Sequence, residues 1–239
     1  MNKLLYTLFL ILICSCTYGQ SFEGILQIDY RNEAGTRNAV DVYVKGDKFY
    51  IRKVIGGCGR YDAYIYDTHT RMLCCMSPVS PKTALSLDID KVLSIYEAKQ
   101  LRPGYKTHIS HPYTPSAKSK KIAEIKVIQK KASAQDTTYE IWTAQLDINY
   151  VDLIPVLRVI GFWGDAEDGN NTILESRTVN KKTSKSSTIN VTPVTTKVEK
   201  GLFTIPQEYQ QVDLDKFLIN EYRSPRFAEL VKAFTGFTQ

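Results

Sequence analysis

The chain has 239 residues, with 31 Lys and Arg against 25 Asp and Glu for a net charge of +6. That excess is too small at this size to point to nucleic acid, and the length suits one barrel-like all-β domain or two small ones. Fifteen tyrosines and nine phenylalanines favour strands over helices.

The opening, MNKLLYTLFLILICSCTYGQ, places Lys3 before an apolar run from Leu4 to Ile13. The run is much shorter than a membrane span, and small residues follow it. It reads as an export signal covering residues 1–19, and its removal lowers the charge from +6 to +5 because it carries Lys3 and no acid. Ile13-Cys14-Ser15-Cys16 also forms a loose lipobox. Simple secretion and lipid anchoring through Cys16 are therefore both open, each putting the protein in the periplasm or at the cell surface.

From Phe22 apolar residues alternate with polar ones to Arg31, the period of a half-buried strand. Val40, Val42 and Val44 alternate likewise, and KGDK turns the chain tightly into Lys48–Val54. IGGCGR interrupts the sheet, after which Asp62–Asp67 and Arg71–Met76 form a hairpin around THT. Residues 82–89 add a strand, and Asp90 is positioned to cap a short helix reaching Leu101. Residues 102–120, rich in proline and serine, read as a long loop.

Lys121–Ala132 and Thr137–Asp147 read as strands. In VDLIPVLRVIGFW, Asp152 can cap a helix that Gly161 ends, and most positions are apolar, so both sides of it need cover. Asn171–Asn180 and Ser187–Lys200 are further strands joined by the basic KKTSKSS, GLFTIPQEY closes the sheet, and Asp215–Phe234 supplies helices broken at Ser224-Pro225.

The segments FEGILQIDY, VYVKGDKFYIR, YIYDTHTRMLCCM, YEIWTAQLD and GLFTIPQEY fall in the order of an uncharacterised exported Bacteroidetes family. The chain resembles that family, which is itself similar to the outer-membrane lipoprotein carrier and receptor (LolA/LolB-like) proteins. The resemblance spans most of residues 22–210, and its most distinctive parts are Gly46-Asp47-Lys48 with Arg52, and Phe203-x-Ile205-Pro206 with Tyr209. It implies a curved antiparallel sheet, a half-open β-barrel with short helices in its concave face. That single domain occupies residues 20–212, with a helical tail at 213–239 packed on it. The 102–120 stretch, the 180–187 loop and the tail depart from the pattern.

In such a fold the apolar helix must sit in the concavity. There it either fills the space or covers a ligand cavity lined by Leu26, Ile28, Val42 and Val44 from the sheet and Leu153, Ile154, Leu157, Ile160 and Trp163 from the helix. A cavity of this kind would take an acyl chain, a lipid or a lipidated protein partner. The first reading is accordingly a non-enzymatic binding protein. A cell-envelope structural or protein-interaction module with a filled core is the second, and copper handling by Met72, Cys74 and Met76 the third.

Outside the cytoplasm thiols tend to oxidise. Cys58 is expected to bridge to Cys74 or Cys75, which project to opposite faces of a strand. Met72, Cys74 and Met76 share the more apolar face. His108-x-x-His111 lacks a third ligand nearby, and DAEDGNN from Asp165 misses the spacing of a calcium loop and reads as a solvated turn. No catalytic signature is present, so neither an enzyme nor a cofactor is expected. The short basic runs KSKK and KKTSKSS read as solvated loops, with peripheral membrane contact as the functional alternative. A monomer that binds no nucleic acid is expected.

Overall fold

The computed structural model describes residues 22–56, 61–98, 111–169 and 171–213, without the side chains of 95–98 and 213. The segment expected to be an export signal, with Cys16, and the segment beyond Asp213 expected to be a helical tail lie outside the described residues, as do Cys58 and His108.

Strands β1 (Gly24–Arg31), β2 (Arg37–Lys45), β3 (Lys48–Ile55), β4 (Ala63–Asp67), β5 (Met72–Ser77) and β6 (Thr83–Asp88) form one antiparallel meander. Helix α1 (Ile89–Ala98) follows. A second meander runs through β7 (Thr114–Ile122), β8 (Ile125–Ala134), β9 (Thr137–Ala144), β10 (Thr172–Asn180) and β11 (Ser186–Thr195), with helix α2 (Tyr150–Val159) between β9 and β10. Pairing of β1 with β11 joins the meanders into one 12-stranded sheet, ordered β12-β6-β5-β4-β3-β2-β1-β11-β10-β9-β8-β7, where β12 is Gln210–Asp213. The open, curled antiparallel sheet is the architecture expected.

Period-two alternation decides which face goes inward. Leu26, Ile28, Val42, Val44, Phe49, Ile51, Tyr64 and Tyr66 join Ile141, Ile189 and Val191 in a single buried cluster that also contains α2. Side chains from strands across the sheet can meet in one cluster only on its concave side. Leu73 and Cys75 belong to that cluster, whereas Cys74 and Met76 lie in a smaller one with Ile65 and Ala84. The face of β5 expected to be the more apolar is thus the convex one, and Met72 on it is 39% exposed. Register sets this outcome, because Leu73 stands beside Tyr66 and Leu87.

Several elements differ from expectation. Residues 114–122, expected to fall mostly within a loop, form β7, and the expected strand from Lys121 divides at a tight turn where Ala123 and Glu124 take positive φ of 45° and 63°. An edge strand tolerates Pro115, since only one side must pair, and the register breaks between Pro115 and Ser119. Helix α1 is capped by Asp88, whose carboxylate accepts from the Asp90 and Lys91 amides, leaving Asp90 to pair with Arg71.

GLFTIPQEY does not enter the sheet. After β11 the chain leaves through a 3-10 turn (Lys200–Phe203), and Ile205 and Tyr209 cover the convex cluster before β12 pairs parallel to β6. Glu23 and Lys45 clasp the start of this strap. The Val198 amide donates to Glu23 at 2.8 Å, and Lys45 donates to the Val198 carbonyl at 2.8 Å.

Candidate functional site

The interior brings together all the residues expected around the apolar helix. Leu26, Val42, Leu153, Ile154 and Leu157 are 0% exposed, Val44 and Trp163 1%, Ile28 2% and Ile160 3%. Every one belongs to the same core cluster. A void wide enough for an acyl chain would expose the side chains lining it to a water-sized sphere, and these have almost no such exposure. Helix α2 ends where Gly161 takes φ 83°, and the chain then folds back under it. Trp163 meets Tyr150 edge to face at 5.6 Å and donates its indole N–H to the Ala166 carbonyl at 2.8 Å, while the Tyr150 hydroxyl donates to the Ile173 carbonyl at 3.1 Å.

Two polar features of this interior were hidden in the sequence. Arg158, in the last turn of a helix otherwise nearly all apolar, is 3% exposed and donates to Glu167 at 3.1 Å and to the Gly164 carbonyl at 3.1 Å. Glu167 is 6% exposed, and its neighbour Asp168 pairs with Lys130 at 2.5 Å. DAEDGNN is therefore not a solvated turn; two of its acids neutralise cations from the core and the sheet. A buried charge stays ionised only with such a partner.

At the end of the sheet by the β4–β5 turn, Arg71 ties both helices together. It donates to Asp90 of α1 at 2.7 Å, to Asp152 of α2 at 2.5 Å and to the Tyr66 hydroxyl at 2.8 Å. The bond to Arg71 holds the Asp90 carboxyl below its ordinary range, and burial raises the Tyr66 phenol. Asp152 thus serves as an ion-pair partner, not as the expected helix cap.

The sulfurs do not form the expected bridge. Cys74 and Cys75 are both buried free thiols. Cys75 sits in the main core and Cys74 under the strap, so each thiol is enclosed by its own cluster. Burial pushes the Cys74 thiol up to about 11 and raises Cys75 as well, keeping both protonated at neutral pH. Protonated thiols are poor nucleophiles and poor soft-metal ligands. A Cys58→Ser chain beginning at Gln20 should show no fast-reacting thiol when native and two after unfolding, read by thiol titration; a rapidly reacting native thiol would contradict this packing. His111 packs against Tyr139 with the rings tilted by 31° and their centroids 3.9 Å apart, and contacts the Asp165 carbonyl at 3.1 Å. No group of three His, Cys, Asp or Glu suited to a metal occurs among the described residues.

The basic runs are partly engaged too. Lys120 pairs with Glu175 at 2.5 Å with its ammonium 4.3 Å from the Trp142 ring centre, Lys181 donates to Ser133, and Lys182 pairs with Asp136. Near them an open groove of about 660 Å³ is lined by Pro112, Thr114, Lys131, Ala132, Ser133, Thr138, Tyr139, Glu140, Arg177 and Val179. It shares no residue with the interior set. No helix among the described residues is long and apolar enough to cross a membrane.

No protein-family model matches the chain, and no curated protein does. Among solved structures the chain has a distant similarity to PNGF-II, at 12% identity over 85% of this chain with a TM-score of 0.37; this chain covers 34% of that protein. An uncharacterised conserved protein from Thermus thermophilus is 9% identical over 80% of this chain and 91% of its own, with a TM-score of 0.42. MucB in complex with MucA(peri) is 10% identical over 79% of this chain and 57% of its own, with a TM-score of 0.41.

Proposed function

We propose that this protein is a non-enzymatic binding module of the cell envelope, meeting a protein partner on its outer surface with helix α2 as a permanent part of its core. The supporting observation is the burial of the interior set, none of it more than 3% exposed. Admitting a ligand there would require α2 to withdraw. Each large apolar side chain so exposed costs about 1.5–3 kcal/mol. For the five helix-side residues the sum is roughly 10 kcal/mol, comparable to the whole stability of a typical domain. A single acyl chain gains about 0.8 kcal/mol per buried CH₂ and would have to repay that cost first. Placement in the envelope rests on the apolar opening segment with its small residues.

Two measurements on protein purified from its own cell envelope test the reading. Native mass spectrometry should give the mass of the chain alone, with no lipid recovered on extraction. Cross-linking should capture one reproducible protein partner. Stoichiometric lipid held non-covalently, and so distinct from an acyl group attached at Cys16, would establish the ligand-holding alternative instead.

A further inference from the structure

Sheet register aligns charges that are far apart in sequence. Arg31 of β1 stands opposite Arg37 of β2 on one side and Thr188 of β11 on the other. Thr188 faces Arg177 of β10, Arg177 faces Glu140 of β9, and Glu140 faces Lys131 of β8. Directly opposed residues project to the same side of a sheet, so these side chains form one row across the convex face. Four cations, one acid and Thr188 make it up.

Of the six arginines among the described residues, Arg37, Arg52, Arg71 and Arg158 are ion-paired. Arg31 and Arg177 are exposed, their side chains make no hydrogen bond or ion pair with the described residues, and they stand with only Thr188 between them. Lys131 contacts Glu140 only at 3.5 Å. Lys131, Glu140 and Arg177 also line the open groove of about 660 Å³, where Thr114 and Thr138 add hydroxyls.

We propose that this row docks an acidic, extended segment of a partner protein, its carboxylates held by Arg31, Arg177 and Lys131. The inference rests on the interaction-module reading and names the surface and the partner's chemistry. Strands lie about 4.8 Å apart, so Arg31 to Arg177 and Arg177 to Lys131 are each steps of about 10 Å. Every third residue of a polyproline-II segment recurs at about 9 Å on one side, a close match for carboxylates at that spacing. Guanidinium groups take carboxylates in bidentate pairs. Glu140, between two of the cations, disfavours a uniformly charged polyanion and leaves spaced carboxylates unhindered. A bilayer fits less well, because none of the exposed large apolar residues (Val54, Ile55, Met72, Val79, Ile128, Val194) belongs to the row to anchor it.

Fluorescence anisotropy of the exported protein with a labelled peptide carrying glutamate at every third position tests this, with a glutamine-for-glutamate peptide as control. The acidic peptide should bind and the control should not, and raising the salt should weaken binding. The double variant Arg31→Ala/Arg177→Ala should lose affinity by about tenfold or more. Arg52→Ala, an arginine already paired with Asp41, should leave it unchanged. Absence of peptide binding, an unaffected double variant, or tighter arginine-dependent binding of anionic vesicles or a polyuronate would overturn the proposal. A protein partner cross-linked elsewhere with no peptide binding would remove this surface and keep the interaction module. Co-purified lipid with peptide binding intact would do the reverse.

Discussion

Glu167→Ala is expected to destabilise the protein by about 3–5 kcal/mol, because it strands the Arg158 guanidinium in the core without its anion. Arg158 and Glu167 have side chains only 1% and 7% exposed, so water cannot replace the lost partner. At this size the loss corresponds to a fall in melting temperature of roughly 10 °C, measurable by calorimetry or denaturant unfolding. The paired variant Arg158→Met/Glu167→Leu separates the causes. Apolar groups of similar volume remove both charges, and the double variant should recover most of the stability. A Glu167→Ala protein as stable as the parent would show that this ion pair is open to solvent.

Trp163→Ala is expected to cost a similar 3–5 kcal/mol, the range for removing a buried large aromatic side chain. It deletes the edge contact to Tyr150 and leaves the Ala166 carbonyl without its donor. Trp163→Phe keeps much of the packing and should lose clearly less. The chain has two tryptophans, so Trp142→Phe leaves Trp163 as the sole indole reporter. Its emission should be that of a dry environment and should not respond to added lipid. A lipid-dependent shift would mean that α2 moves and that the concavity admits guests. The Trp163 pair of experiments therefore measures stability and also tests how permanently the core is filled.

Much of the architecture was readable because burial leaves a period in the sequence. Residues 22–31 alternate apolar with polar, and 24–31 of them form β1, with Leu26 and Ile28 inward. The tight turn at Gly46-Asp47 and the helix end at Gly161 follow from backbone freedom, since both glycines take positive φ. β7 reads as a loop in the sequence because its signal is that of an edge. It is lysine-rich and contains a proline, features that protect an unpaired strand and resemble a loop when read alone. The strap reads as a closing strand because Ile205 and Tyr209 cover the convex cluster, which alternation within one segment cannot distinguish from pairing.

The candidate surfaces were less legible, for a reason of distance along the chain. Arg158 lies in a helix whose composition reads as mostly apolar and Glu167 in a segment that reads as a solvated turn, and only the return of the chain beneath α2 joins them. The expected disulfide differs on similar grounds: strand alternation sends Cys74 and Cys75 to opposite faces, but that both thiols are closed over, one by the core and one by Ile205 and Tyr209 with their neighbours, depends on segments distant in the chain.

By itself the order of residues determined a mainly β protein with an apolar helix needing cover on every side, since strand alternation and helix composition are local properties. Tertiary structure alone decided that this helix is packed away with its lining residues, that the thiols are free, and that Arg31, Arg177 and Lys131 share a row. Those outcomes depend on strand register and on which neighbours a fold brings together. A register shift of one residue would send each of these side chains to the opposite face.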